Sequence, residues 1–283
     1  MSRTIISTDS PADVPPALCE RYGIRVIGLH VALGDKSFTD GVDIGPDDLY
    51  AYYRATGALP KTSAVSIAEY RDFFCALTAD GADVVHVAFS SRLSATYQNA
   101  CLAAGEVGRV HVVDSKSLTT GIALLCIYAA ELAEAGKDAN TIVHELEYRR
   151  EKAVTTFLLD KLEFLRKGGR CSALTALGAN VLGIKPQIVM RDGALTVGKK
   201  YRGRLETCQL QYVRDLLAEY EGRIDLSRCF LSHTAGVSDE QLRALQREVQ
   251  RHAKFREVFV STVGCTITAH CGERTFTLEF LCK

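Results

Sequence analysis

Short apolar runs alternate with longer stretches of helical spacing from the start of the chain to about residue 135, and this alternation leaves few folds open. Strands separated by helices pair in parallel, with the helices returning over the faces of the sheet. Residues 4–8, 24–31, 84–89 and 110–114 read as strands, and 14–22, 67–77, 94–107 and 118–135 as helices. Residues 46–55 read as another helix, opening on Pro46 with Asp47 and Asp48 placed to suit the helix dipole. Beyond a helix at 141–150 the pattern changes. A strand at 154–159 and a helix at 160–167, stopped by Gly168-Gly169, precede two runs, 188–191 and 194–199. Those runs flank Asp192-Gly193, the strongest hairpin signal in the chain. Helices at 205–221 and 240–251 and strands at 229–233, 258–262 and 276–281 follow.

The expected architecture is α/β in two domains. Residues 1–155 form an N-terminal, mostly parallel sheet with flanking helices, and 156–283 form a C-terminal mixed α/β domain, with the boundary near 150–160. A length of 283 residues suits two domains.

Charge excludes more than it suggests. Lys+Arg and Asp+Glu are equal at 34 each, so no overall field draws the chain to nucleic acid or to an anionic membrane. The apolar stretch 121–130 is too short to span a bilayer and reads as a buried helix. The start lacks an apolar leader segment, so the ten cysteines are read as reduced thiols of a cytoplasmic protein. Cys75, Cys101, Cys126 and Cys229 lie in apolar runs, where a thiol acts as a small hydrophobe.

Several catalytic signatures are missing. The sequence has no P-loop, no G-x-G-x-x-G after a strand, no G-x-S-x-G elbow and no Cys-x-x-Cys pair, and His144-Glu145 lacks the second His of a zinc protease. Cys265, His270 and Cys271 lie close together without a matching pair, and no metal site is assigned.

Four polar clusters remain, at strand ends where open α/β sheets bind ligands. Thr8-Asp9-Ser10 reads chiefly as a turn and capping cluster that helps shape a site. In residues 60–66, Ser66 and Glu69 make a capping box, which leaves Thr62 and Ser63 free to donate to an anion. Residues 90–99 carry Ser91, Ser94 and Ala95 into a helix start that favours a carboxylate or phosphate. Ser94 fits equally a cap and an anion donor. The fourth cluster is basic: 167–170 with Arg170, and 199–204 with Arg202. It reads as a solvated loop or as a docking patch for an acidic partner.

The segments Ser7-Thr8-Asp9-Ser10, Pro60-Lys61-Thr62-Ser63, Ser90-Ser91-Arg92-Leu93-Ser94, Asp114-Ser115, Lys167-Gly168-Gly169-Arg170, Ile184-Lys185-Pro186 and Lys200-Tyr201-Arg202-Gly203, in this order, resemble the DegV family of fatty-acid-binding proteins over residues 3–281. The resemblance implies a DegV-like two-domain fold with an acyl tunnel. It implies a fatty-acid carboxylate held by Thr62, Ser94 and His270, with Ser63, Ser91 and Ala95 in the surrounding loops. It also implies no cofactor, no catalysis, and delivery of the acid to a separate fatty acid kinase through Arg170 and Arg202. Two departures stand out. Ala95 replaces a usual Gly, and Cys271-Gly272-Glu273-Arg274-Thr275 follows His270 where the family has x-G-P-G-A.

The chemistry fits such a ligand. Burying about fifteen methylenes at roughly 0.8 kcal/mol each yields on the order of 12 kcal/mol before ordering costs. Hydroxyls and a helix start then satisfy the acid without a fixed positive charge. The alternatives are a Ser/Cys-dependent acyl hydrolase using Ser94 or Cys271 with His270, and a regulatory interaction protein that senses lipid.

Overall fold

The computed structural model describes residues 3–172 and 183–283. The chain opens on β1 (Thr4–Asp9), α1 (Pro16–Tyr22) and β2 (Arg25–Ile27). Two strands follow, β3 (His30–Leu33) and β4 (Lys36–Thr39), then α2 (Pro46–Thr56) and β5 (Lys61–Ser63). Next come α3 (Ile67–Thr78), β6 (Asp83–Ala88), α4 (Thr96–Val107), β7 (Val110–Asp114) and α5 (Thr120–Glu134). The first sheet runs β2-β1-β6-β7 and is parallel throughout, as the alternation requires.

The strand expected over 24–31 is two strands in two sheets. After β2 the chain turns at Gly28, where a Cβ would lie 2.5 Å from Thr39 Cγ2 and 2.9 Å from the Asp40 carbonyl. It then enters a small antiparallel sheet, β4-β3-β5, in which Thr62 lies opposite Val31. Lys61-Thr62-Ser63 has no apolar alternation, so the sequence carries no strand signal there.

The second half contains α6 (Ala139–Arg149), β8 (Ala153–Val154), β9 (Thr156–Leu158) and α7 (Glu163–Gly168). The hairpin β10 (Ile184–Arg191) and β11 (Ala194–Arg202) turns at Asp192 and Gly193, both at positive φ, as its Asp-Gly signal demands. α8 (Leu205–Glu219), β12 (Ile224–His233), α9 (Asp239–His252), β13 (Glu257–Thr262), α10 (Cys265–Cys271) and β14 (Phe276–Cys282) complete the fold. The mixed sheet runs β11-β10-β9-β14-β12-β13, with β8 also on β14; only β12 and β13 pair in parallel. The expected strand at 154–159 is thus split at Thr155. The Thr155 carbonyl accepts from Met190 N–H at 3.0 Å and its hydroxyl lies 2.7 Å from Ser117 Oγ. Among the described residues no helix is long and apolar enough to cross a membrane.

The mixed sheet is buried on both faces, and β14 shows how. Phe276, Leu278 and Phe280 join Leu158, Leu231, Tyr212 and Val249 in a core under α8 and α9. Leu281 points the other way, with Phe157 and Phe230, into the core that the parallel sheet and α5 also fill. This second core runs across the boundary expected at 150–160. Cys126 and Cys229 lie within these cores, whereas Cys75 is exposed on α3, contrary to its apolar surroundings in sequence.

One acid shares the inner face of β14. Glu279 is fully buried; Thr119 donates to its two carboxyl oxygens at 2.9 and 2.8 Å, and Thr120 donates to one of them. Burial outweighs these bonds and raises its pKa from 4.5 to about 8. Between those values the folded chain keeps a proton that the unfolded chain releases, so this group lowers stability as pH rises through the window. Glu279→Gln should therefore reduce the loss of melting temperature between pH 6 and 8.5 by several degrees, measured by calorimetry. An unchanged slope would contradict the assignment.

Candidate functional site

A cavity of about 200 Å³ lies among α10, α7, β5 and the loop after β6. Its walls are largely apolar and include Leu29, Phe89, Leu93, Leu118, Phe157 and Ile267. The polar lining comes from Thr62, Ser63, Ser94, Arg170, Thr266 and His270, with Ala95 beside Ser94. Residues more than two hundred positions apart therefore share one space.

Each is held by an identifiable support. Thr62 is fixed by the ladder with β3, and its Oγ1 lies 2.9 Å from His270 Nε2. α10 has only seven residues, and its start is pinned from outside. Asp40 accepts from Cys265 and Thr266 N–H at 2.8 and 3.0 Å and from the Ser10 hydroxyl at 3.0 Å. Asp13 accepts from Gly264 N–H at 2.7 Å. Burial, opposed by that bond and reinforced by Asp40, raises the Asp13 pKa well above the usual carboxylate range. Ser10 thus shapes the site through Asp40 without reaching the cavity. Asp9 acts similarly on the loop after β6, where its Oδ2 accepts from Phe89 N–H at 2.7 Å.

His270 is neutral at ordinary pH. Burial, and after it the charge of Arg170, lowers its pKa from 6.5 to about 4. Its Nδ1 has no hydrogen-bond partner among the described residues and faces Gly168, where a Cβ would lie 2.3 Å away. Any larger residue at 168 would strike the imidazole, so the Gly168-Gly169 signal serves the site as well as ending α7. The altered ending after His270 is accommodated: Gly272 (φ 71) packs on Phe164, and Arg274 (φ 62) pairs with Asp160 and Glu206. His270 stays on Thr62 despite the loss of the usual Pro and Gly.

The other expected residues fall in different places. Ser94 is not the cap of α4. The helix begins at Thr96 with Ala95 as its N-cap, and Ser94 Oγ lies 2.6 Å from Thr96 Oγ1 while accepting from Thr96 N–H at 3.2 Å. Ser91 turns to Asp114, donating at 2.6 Å, and does not line the cavity. Arg170 lines the cavity as well as being exposed, donating to the Gly168 carbonyl at 2.8 Å. Arg202 lies exposed at the end of β11, opposite Ile184, and takes no part in the lining. The sequence reading missed α10 and hence Thr266 and Ile267. The signal was the pair of glycines, Gly264 and Gly272, that bracket it.

The geometry gives hydrolysis little support. His270 meets Thr62 rather than Ser94, and burial pushes the Cys271 thiol up to about 12. A Ser–His–Asp chain does exist, Ser7–His86–Asp9, with contacts of 3.0 and 3.1 Å, but all three side chains are fully buried. Among the described residues no three His, Cys, Asp or Glu side chains gather as a metal site needs.

A three-sheet α/β fold around a largely apolar cavity, with hydroxyls and an imidazole on its wall, has the form of a small-molecule site, and comparison with known proteins specifies the family. The model of the DegV family, described as uncharacterised, matches residues 3–283. A DegV domain-containing protein of Deinococcus radiodurans is 32% identical over 270 residues, 94% of each chain. A DegV family protein of Thermus thermophilus, described for its fatty acid binding, superposes with a TM-score of 0.90 at 29% identity, over 99% of this chain and 100% of its own. A stearic acid-binding protein of Eubacterium ventriosum gives 0.86 at 26% identity, over 100% and 99%. The chain belongs to the DegV family.

The depressed basicity of His270 has a measurable consequence. Between about pH 6.5 and 4 the unfolded chain takes up a proton that the folded chain refuses, so stability falls as pH falls through that window. The imidazole resonances of His270 should titrate with a midpoint near 4 by NMR, and Arg170→Ala should move that midpoint upward. A midpoint of 6 or above would contradict the buried, neutral assignment.

Proposed function

We propose that this protein binds one long-chain fatty acid, with the acyl chain in the apolar cavity and the carboxylate at Thr62, Ser94 and His270. Ser63, Ala95 and Arg170 border the head group. The observation that carries this reading is the Thr62–His270 pair, which opens on a mostly apolar space. In the Nε2–H tautomer, His270 donates to Thr62 Oγ1 and leaves Nδ1 as a bare lone pair, which buries more cheaply than an unpaired N–H. The Thr62 hydroxyl hydrogen is then free to turn to a carboxylate oxygen. Such donors hold the acid without a fixed counter-charge, and the carboxylate stays nucleophilic.

The protein so read is a carrier without catalysis or cofactor of its own, working in the cytoplasm. Its acid passes to a separate fatty acid kinase, with exposed Arg170 and Arg202 offered to that partner. The fatty-acid binding of DegV relatives supports the ligand class.

The double variant Thr62→Ala, Ser94→Ala removes two hydrogen bonds to a charged group, each contributing about 1.5–3 kcal/mol. Palmitate or stearate affinity should fall by at least about a hundredfold, measured by calorimetry on delipidated protein, with the circular dichroism spectrum unchanged. Equal affinity in the double variant would overturn the head-group assignment.

A further inference from the structure

A groove of about 780 Å³ lies between β2, β13 and the loop after β4, and it shares no lining residue with the first cavity. Its apolar lining includes Val14, Ile24, Val26, Val42, Phe73 and Val260. Val26, Val42 and Val260 are 41%, 78% and 39% exposed, and they are three of the six large hydrophobic side chains left exposed among the described residues. Single exposed apolar side chains need no explanation, but several gathered in one hollow mark a binding surface.

Two buried acids line the same groove. Asp13 and Asp40 are 8% and 3% exposed, and a Cβ on Gly264 would stand 3.1 Å from Asp13 Oδ1 and 3.2 Å from Asp40 Oδ1. The two carboxyls are therefore close neighbours. Asp40 is bonded by neutral donors, the Ser10 hydroxyl and the N–H groups of Cys265 and Thr266. Asp13 Oδ1 accepts from Gly264 N–H, and its Oδ2 has no hydrogen-bond partner among the described residues. The charged groups that act on Asp13 are themselves acids, Asp40 and Glu279. Burial first, and then this repulsion, raises its pKa, and a cation brought beside it would reverse the shift. Arg25 borders the groove from β2 but is exposed, where solvent and salt screen its charge.

We infer that this groove is a second ligand site, for a primary ammonium carried on an apolar body, with the ammonium against the Asp13 carboxyl and the hydrocarbon along Val26, Phe73 and Val260. The volume suits a small organic ligand, whose pockets run from about 300 to 1,000 Å³. An ammonium brings both the positive charge and the donor that Asp13 Oδ2 lacks, and a charge-assisted bond of this kind favours an amine over the uncharged alcohol of the same shape. The site stands whether or not the first cavity holds a fatty acid.

The test is calorimetry with 4-phenylbutylamine and 4-phenylbutanol as probes. The wild type should bind the amine at least about tenfold more tightly than the alcohol, and stearate should not displace the amine. Asp13→Asn keeps an acceptor for Gly264 N–H and suits the left-handed backbone at φ 48, and it should abolish the preference. Val42 is mostly exposed, so a charge there leaves the fold intact. Val42→Lys should weaken amine binding and Val42→Glu should strengthen it, each by at least about twofold at low salt. Equal affinity for amine and alcohol would overturn the inference, as would displacement of the amine by stearate or a preference that survives in Asp13→Asn. Should Asp13→Asn fail to fold, the Val42 pair decides, and equal amine affinity in those two variants would overturn it.

Discussion

A helix of seven residues cannot sustain itself in water, because nucleation costs more than so few internal hydrogen bonds return. α10 is such a helix, and His270, Ile267 and Cys271 all depend on it for their place in the cavity wall. What fixes it is the carboxylate of Asp40, which takes two N–H groups at the helix start, assisted by Asp13 on the residue before. Asp40 is nearly fully buried and itself anchored by Ser10, directly after the first strand. The chain of dependence runs from the end of β1, through a turn serine and a buried acid, to the imidazole that meets Thr62. Removing the acid would leave the helix start with unpaired donors and the cavity without one wall.

The same economy explains the electrostatics of the cavity. Its hydroxyl and imidazole lining is uncharged, and Arg170 is the formal charge that borders it. Dehydrating a permanent ion pair costs several kcal/mol per ion. A lining of neutral hydroxyls and a neutral imidazole carries no such penalty. Arg170, itself exposed, disfavours protonation of His270, second to burial.

Much of this was legible in the sequence, and the reasons for the rest are specific. The parallel strands announced themselves because both faces of that sheet are covered, which writes continuous apolar runs such as Val84-Val85-His86-Val87-Ala88. The Asp192-Gly193 hairpin was equally plain, since few dipeptides tolerate two positive φ angles. Thr62 stood out in its loop as a free hydroxyl donor and His270 only through resemblance to a family, and the structure brings them to 2.9 Å. β5 was invisible because three polar residues form a strand only through the partner waiting for them. α10 was missed because Thr266-Ile267-Thr268 is a β-branched run and favours strands by propensity. There, capping by a carboxylate from 225 positions away overrides local preference. Ser91 lies in the loop after β6 but turns from the cavity to Asp114, since a serine in a loop takes the nearest strong acceptor and Asp114 stands at the end of the adjacent strand.

The two-sided burial of β14 carries a consequence for how the chain finds its fold. Successive residues of that strand belong to different compartments, so a slip of one position against β12 would not produce a slightly worse sheet. It would push Thr277 and Glu279 beneath α8 and α9, and turn Phe276 and Phe280 towards the hydroxyls of Thr119 and Thr120. A misaligned intermediate would then harbour a stranded acid in a hydrocarbon layer and would come apart before it could be locked in. The buried glutamate, a liability for stability at alkaline pH, thus adds to the cost of any one-residue slip of β14.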